Sequence, residues 1–372
     1  MSGIQNESRK ALHELLDTLR DVDERYLGPE YLIESSEDVA DGVRAIAHML
    51  EGGLASYFEQ HESHPTFRRI VSPSRKFTGD NADAVYYDAP IDPARSYVVR
   101  GNLAGAIYTS FTLEVGSRDG QMGTRTAGVL NDEEFQADAD GNYEIHLGGE
   151  KRDGAWLPLD PETSRVTTRH YYEEAHPVAA DATHHIPLSI ERLGEAPPPP
   201  SPDDASVAAG IRRVTRFVQS RTLGMPPPGE RELPPFVSRN PNQFPQPVKP
   251  GDFGLAAFDA AYSQAPFLLG PEDALVITGR WPACRCANVS LWNRHLQTFD
   301  YANRSASLNR KQTVLEPDGS FRIVIAHRDP GVPNWLDTEG RAFGMVFWRF
   351  MLPEGEIAKP EAERVSFAEV AR

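Results

Sequence analysis

Ile107-Tyr108-Thr109-Ser110-Phe111-Thr112-Leu113-Glu114-Val115 alternates between two sets of residues with period two. Ile107, Thr109, Phe111, Leu113 and Val115 share one face, and Tyr108, Ser110, Thr112 and Glu114 share the other. Successive side chains of a strand point to opposite faces, so the run predicts a half-buried β-strand. Tyr143, Ile145 and Leu147 alternate in the same way after Asp140-Gly141. Asp-Gly between alternating runs predicts a hairpin turn, because glycine accepts positive φ. Residues 166–172 predict another strand.

The same rhythm returns later in the chain. Residues 96–148 align without a gap to 274–326 at one offset, 178 (276 − 98), with eight identities. These are Val98/Val276, Gly101/Gly279, Leu113/Leu291, Leu130/Leu308, Asn131/Asn309, Asp140/Asp318, Gly141/Gly319 and Ile145/Ile323. Unrelated sequences of ordinary composition would match at roughly three. The offset drifts by one at Trp156/Trp335 and by one more at Arg169/Arg349. An internal duplication is the reading these matches support. The predicted fold is mainly β with accessory helices, as two β-sandwich-like domains of jelly-roll type.

Outward from the strands, Leu12, Leu15, Leu16, Leu19 and Val22 mark a helix ended by Gly28-Pro29. Val39, Val43, Ile46, Leu50 and Leu54 mark a second, with Ser35 or Ser36 as its N-cap. The two are expected to pair. A third carries Val207, Ile211, Val214 and Val218 after the stiff run Pro197–Pro200. The expected organisation is an N-terminal helical segment 1–58, a first β domain 60–195, a proline-rich linker with one helix 196–250, a second β domain 251–360 and a tail 361–372. Residues 225–250 read as an extended connector that wraps a surface, borders a site or docks a partner.

The formal net charge is −16, with no offsetting basic run. Nucleic acid and anionic lipid would be repelled, so neither is an expected partner. No segment approaches ~18 consecutive apolar residues, so no membrane span is expected. Met1-Ser2-Gly3-Ile4-Gln5 lacks a signal peptide's basic start and apolar run. Two cysteines, Cys284 and Cys286, do not make a disulfide framework. The expected compartment is the cytoplasm.

The duplication separates fold from function. Polar residues in one copy that stand where the other has core need an explanation. Ile107 corresponds to Arg285, Val115 to Asn293 and Ser117 to His295, all in phase on one strand face. An inward arginine and amide cost on the order of several kcal/mol unless paired or solvated. A pocket lined by Arg285, Asn293 and His295 would resolve that, as would carboxylate partners elsewhere. The loop from His327 to Asp337, fixed by Pro330, Gly331 and Pro333, is a second candidate, with His327 as a base and Asp329 or Asp337 as its orienter. Asn334 and Trp335 would contact the ligand. Gly79-Asp80-Asn81-Ala82-Asp83 reads as an Asx-rich turn, or as a polar arm that reaches a pocket through Asp80 and Asn81.

His170, Glu173, Glu174 and His176 could hold a metal, but a charged strand end explains them as well, and no metal is expected. Cys284 and Cys286 alone do not complete a zinc site. There is no Gly-x-Ser-x-Gly, no phosphate-cradling loop and no dinucleotide fingerprint, so no cofactor is expected.

Asn303-Arg304, Leu308-Asn309, Asp318-Gly319-Ser320, Asn334-Trp335-Leu336-Asp337 and Arg349-Phe350 with Pro353 resemble a bacterial domain-of-unknown-function family, number 1214. The stretch from Gly79-Asp80-Asn81 through Tyr97 and Gly101 resembles the N-terminal half of its longer members, so the likeness covers about residues 60–360. The family usually has proline where this chain has Asp337. The resemblance implies a β-sandwich fold. It implies no established activity and transfers no catalytic residues.

Three functions remain in view. One is an enzyme acting on a small organic molecule as a hydrolase, lyase or isomerase. Arg285 would hold an anionic or carbonyl group there, and His295 or His327 would move a proton. Another is a non-catalytic binder of a small ligand or sugar, with Trp281 and Trp292 as a flat platform. The third is an interaction protein whose partner is another protein or a second copy of the chain.

Overall fold

A computed structural model describes residues 5–252 and 254–370. Residues 1–4 of the expected helical segment and 371–372 of the expected tail lie outside them.

The chain opens with helices α1 (Glu7–Asp21) and α2 (Ser36–Gly53). Asn6 caps the first and Ser35 the second, each side chain accepting a backbone N–H from one turn in. Nine strands follow: β1 (Arg68–Arg69), β2 (Ala84–Pro90), β3 (Tyr97–Asn102), β4 (Tyr108–Val115), β5 (Arg125–Asn131), β6 (Asn142–Leu147), β7 (Trp156–Leu157), β8 (Thr163–Tyr171) and β9 (Leu188–Arg192). Helix α3 (Asp204–Ser220) comes next. The second half supplies β10 (Ala260–Leu268), β11 (Asp273–Gly279), β12 (Cys286–Trp292), β13 (Ser307–Asn309), β14 (Phe321–Ala326), β15 (Trp335–Asp337), β16 (Phe343–Met351) and β17 (Glu361–Ser366).

The strand orders make the duplication visible. The first half has sheets β1-β2-β8-β4-β5 and β7-β6-β3-β9, and the second has β10-β16-β12-β13 and β15-β14-β11-β17. Apart from β1, each position in one half has its counterpart in the other. The correspondence includes the parallel pairs β6/β7 and β14/β15 within otherwise antiparallel sheets. Each half is a sandwich around its own apolar core. Phe111, Leu113, Ile145 and Val166 fill one, and Val289, Leu291, Ile323 and Trp348 the other.

Several expectations are corrected. The strand 107–115 is not half-buried: every residue of β4 is buried on both faces, because a second layer covers its polar side. Asp140-Gly141 and Asp318-Gly319 are tight turns with glycine φ of +85° and +83°, but they lead into β6 and β14 from the opposite sheet rather than closing a hairpin. Residues 361–366 are not tail. They form β17, which pairs with β11 as β9 pairs with β3. Helices α1 and α2 pack on α3 rather than chiefly on each other. Asp204 of α3 accepts the Glu7 and Ser8 N–H groups at 2.9 and 3.0 Å, and Arg212 holds Glu14 at 2.8 Å. The stretch 225–250 is the expected extended connector and wraps a surface of its own chain, bridging β10 at Val237/Gln264 and Val248/Tyr262. That covers a sheet edge which would otherwise be free to pair with another molecule.

The two sandwiches meet through the outer faces of the sheets β1-β2-β8-β4-β5 and β10-β16-β12-β13. Tyr108, Ala84 and Tyr171 from the first half pack with Tyr262, Cys286, Trp292, Phe347 and Met351 from the second. Where the first sheet extends past the second, α2, α3 and their connections cover it.

Leu113 and Leu291 occupy equivalent core positions at 0% exposure. Leu113→Ala and Leu291→Ala should each lower unfolding free energy by about 2–5 kcal/mol in urea titrations. A loss confined to one of the two would contradict equivalent cores.

Candidate functional site

The residues singled out from sequence are scattered. Arg285 lines no shared pocket with His295. Its guanidinium pairs with Asp132 at 3.3 Å and Glu133 at 2.7 Å, and donates to the Ile107 carbonyl, tying the two halves together. His295 lies beyond the far end of β12, a strand of seven residues and therefore roughly 20 Å long. It is buried against α2 and the segment after α1, with Nδ1 3.4 Å from the Tyr26 hydroxyl. Burial holds its imidazole below the usual value. Asn293 accepts the backbone N–H groups of His295 and Gln297 and shapes the turn between them. The expected pocket built by these three is corrected: Arg285 and Asn293 are spent on structural contacts at opposite ends of β12, and His295 is packed away from Arg285, with Nε2 lacking a partner among the described residues.

The loop 327–337 fares likewise. His327 sits between the Thr338 hydroxyl at 2.6 Å and the Gly270 carbonyl at 3.1 Å. Asp329 is exposed and caps Gly331, and Asp337 is buried in an ion pair with Arg304 at 2.7 Å. Neither orients His327. Asn334, at φ +58°, ties Val314 to Arg322, and Trp335 donates to the Ala326 carbonyl. Trp292 is buried and Trp281 packs on Phe321 and Trp348, so they form no open platform. Among the described residues no His, Cys, Asp or Glu cluster could hold a metal. Glu173 pairs with Arg310 and His170 lies buried between Thr109 and Thr168.

Asp80 and Asn81 do cross to the second half. Asp80 accepts the Thr298 N–H at 2.8 Å, and Asn81 accepts from Asn288 at 2.5 Å. Asp83, beside them, accepts from Asn288 at 2.7 Å and Asn309 at 2.9 Å. Burial pushes Asp83 up to about 6, with these two donors opposing. Lys76 lies buried 4.0 Å from Asp80 and over the Tyr301 ring, and burial pulls it down to about 8 despite Asp80.

The unexpected feature is the outer face of the first large sheet. Asp88, Ser110, Thr112, Glu114, Arg165, Thr167 and Arg169 are all at most 7% exposed. Such a face is sustained only if its groups find partners. Arg165 holds Asp88 at 2.5 Å and lies over the Tyr57 ring at 4.4 Å. Arg169 donates to Thr112 and to the Leu255 carbonyl. Glu114 accepts the Leu255 N–H on Oε2 at 3.2 Å, while Oε1 has no partner among the described residues. Burial pushes the Glu114 carboxyl upward, with Arg169 chief among the groups opposing.

Over the Asp88–Glu114 end of this face lies a cleft of about 40 Å³. That is room for a few waters or a small organic molecule. Arg165, Arg221, Lys76 and Arg75 line it against the carboxylates Asp88 and Glu114, with Tyr57, Phe77 and Phe217 as apolar wall. Two of the lining cations, Arg69 and Arg221, have no carboxylate ion pair among the described residues; Arg69 is spent on the Val71, Ala179, Asp181, Ala182 and His184 carbonyls, and Arg221 is placed differently. It stacks 3.8 Å over Phe217 and uses Nη1 on the Gly120 and Phe217 carbonyls and the Ser220 hydroxyl. No carboxylate among the described residues lies within ion-pair distance of it. Burial drags its guanidinium down to about 10.

Sequence reading passed over these residues. An arginine at a helix C-terminus reads as a partner for the helix dipole, and Ser110, Thr112 and Glu114 read as a solvent face. The duplication did hold a signal. Glu114 corresponds to Trp292 and Thr167 to Phe347, which stack at 4.3 Å in the second half. Polar residues stand opposite core in the first copy as well as the second.

Residues 288–355 match the family described as a protein of unknown function, DUF1214. The crystal structure of an uncharacterized protein from Burkholderia cenocepacia is similar with a TM-score of 0.82 at 24% identity, over 97% of this chain and 98% of that one. A Vibrio parahaemolyticus protein aligns over 87% of this chain and all of its own, with a TM-score of 0.49 and 12% identity. No curated protein matches the chain. The Burkholderia likeness establishes a shared fold across nearly the full length.

Two outcomes follow. Arg285→Ala should reduce stability by no more than about 1 kcal/mol, because its ion pairs are partly exposed. A loss of several kcal/mol on denaturation would contradict that. For Asp83, the folded pKa of about 6 lies above the unfolded value of 3.8. Its contribution to stability is therefore full below about pH 4 and is lost as pH rises through 6. Asp83→Asn should flatten the stability curve in that window by up to roughly 3 kcal/mol. An unchanged slope in urea titrations across pH 4–7 would disprove the assignment.

Proposed function

We propose that the chain binds a small organic anion in the cleft between the first β domain and the helices that cover it. The carrying observation is Arg221, a half-buried guanidinium at the cleft without a carboxylate partner among the described residues. A half-buried cation in that position has its charge unmatched, and an anionic ligand supplies the match. The stacked Phe217 fixes the guanidinium plane, and Tyr57 and Phe77 offer apolar surface to a short carbon skeleton. Convergent charged groups beside an aromatic wall give a ligand both orientation and apolar contact. This keeps the small-molecule partner inferred from sequence and moves its site from the second half to the first.

A second reading, catalysis, is favoured by Glu114. Its carboxyl has a raised pKa, an unpartnered oxygen and a place in the same cleft. Such a group suits proton transfer to a bound ligand. A cytoplasmic setting fits both readings: neither Cys284 nor Cys286 is in a disulfide, and no helix among the described residues is long and apolar enough to cross a membrane. The third reading, a docking role for residues 225–250, has less support because that segment already lies along β10.

Calorimetry with small mono- and dicarboxylates and inorganic phosphate tests the proposal. At least one should bind, and Arg221→Met, which keeps the stem on Phe217, should weaken it tenfold or more. Silence across the panel would end the anion reading. Should turnover be detected, Glu114→Gln should abolish it while sparing ligand affinity, and full activity in that variant would end the catalytic reading.

A further inference from the structure

We infer that the ligand of this cleft is a small hydroxycarboxylate, its carboxylate on Arg221 and its hydroxyl on Glu114. This rests on the anion reading above and narrows it to a chemical class.

The cleft offers two groups of opposite character, one short of a counter-charge and the other short of a hydrogen-bond partner. Arg221 is a cation without a carboxylate in ion-pair distance among the described residues. Glu114 is 2% exposed, with Oε2 fixed by the Leu255 N–H and Oε1 lacking any partner among the described residues. A buried polar atom left unpaired is costly, so a ligand that meets only Arg221 leaves part of the site unanswered. A hydroxyl answers Glu114 in either protonation state, since it can donate to a carboxylate or accept from a carboxyl.

Two alternatives fit less well. A plain alkanoate presents hydrocarbon to Oε1. A dicarboxylate presents a second negative charge to Glu114, with Asp88 on the same sheet face across β8. Arg165 does not relieve that charge, because Asp88 already holds it at 2.5 Å. Arg169 is engaged with Thr112 and Leu255. The volume of about 40 Å³ limits the ligand to a few heavy atoms. Selectivity of this kind is strong when a site is built to hydrogen-bond a hydroxyl, because the analogue without it strands the site's own polar group.

The test is calorimetry on the full chain at one pH with matched pairs: glycolate against acetate, lactate against propionate, and malonate as the dicarboxylate. The hydroxy acid of each pair should bind about tenfold tighter, the worth of one hydrogen bond to a charged group. Glu114→Ala should erase the difference while leaving weak carboxylate binding, and Glu114→Gln should retain most of it. Arg221→Met should remove binding of every probe. Equal affinity within each pair in the wild type overturns the hydroxyl arm and leaves the anion reading standing. No binding by any probe overturns both. Should Glu114→Ala fail to fold by circular dichroism, the wild-type pairs alone decide.

Discussion

Burial of a polar sheet face is the constraint on which the rest of this structure depends. When two sandwiches pack through the outer faces of one sheet from each, side chains that would have been solvated lose water on both sides. Each polar group must then find a partner or be replaced by an apolar one. The second half took largely the apolar course, with Trp292, Phe347 and Met351. The first half kept Asp88, Glu114, Arg165 and Arg169 and met the demand with ion pairs and backbone carbonyls. Where the two faces no longer overlap, the helices close the gap incompletely, and the cleft is what remains.

The fold was legible because its signals are local. Period-two alternation marks strands wherever they lie, and one fixed offset between two stretches exposes a duplication without any knowledge of contacts. The drift at Trp156/Trp335 and Arg169/Arg349 falls where β7 corresponds to β15 and β8 to β16 in the doubled topology. Strands at the margins were harder to read. β17 alternates weakly because most of it is exposed, so Glu361–Ser366 looked like tail.

The site was less legible, for a physical reason. Comparison of the copies identifies residues that have changed environment, but not what they now face. Arg285 has changed environment, and it meets Asp132 and Glu133 across the junction between halves. That pairing belongs to the assembly of the two copies, which no single-strand pattern contains. The same test run in the other direction finds Glu114 against Trp292 and Thr167 against Phe347. Residues such as Asn309 and Arg304, which carry the family resemblance, serve the junction and the loop frame: Asn309 binds Asp83, and Arg304 binds Asp337.

A cationic cleft inside a chain of net charge −16 also needs reconciling. The two facts act over different distances. Surface charge is screened within about 8–10 Å at physiological ionic strength, while groups in a partly enclosed site interact through protein of lower dielectric. A small anion that reaches the cleft therefore feels Arg221, Arg165 and Lys76 more than the distant carboxylates. An extended polyanion must lie along the acidic surface and is repelled over its whole length. On the proposed anion reading, the acidic exterior and the basic cleft would act together as a filter by size: the exterior would turn away large anions, and the cleft would hold only those small enough to leave the surface behind.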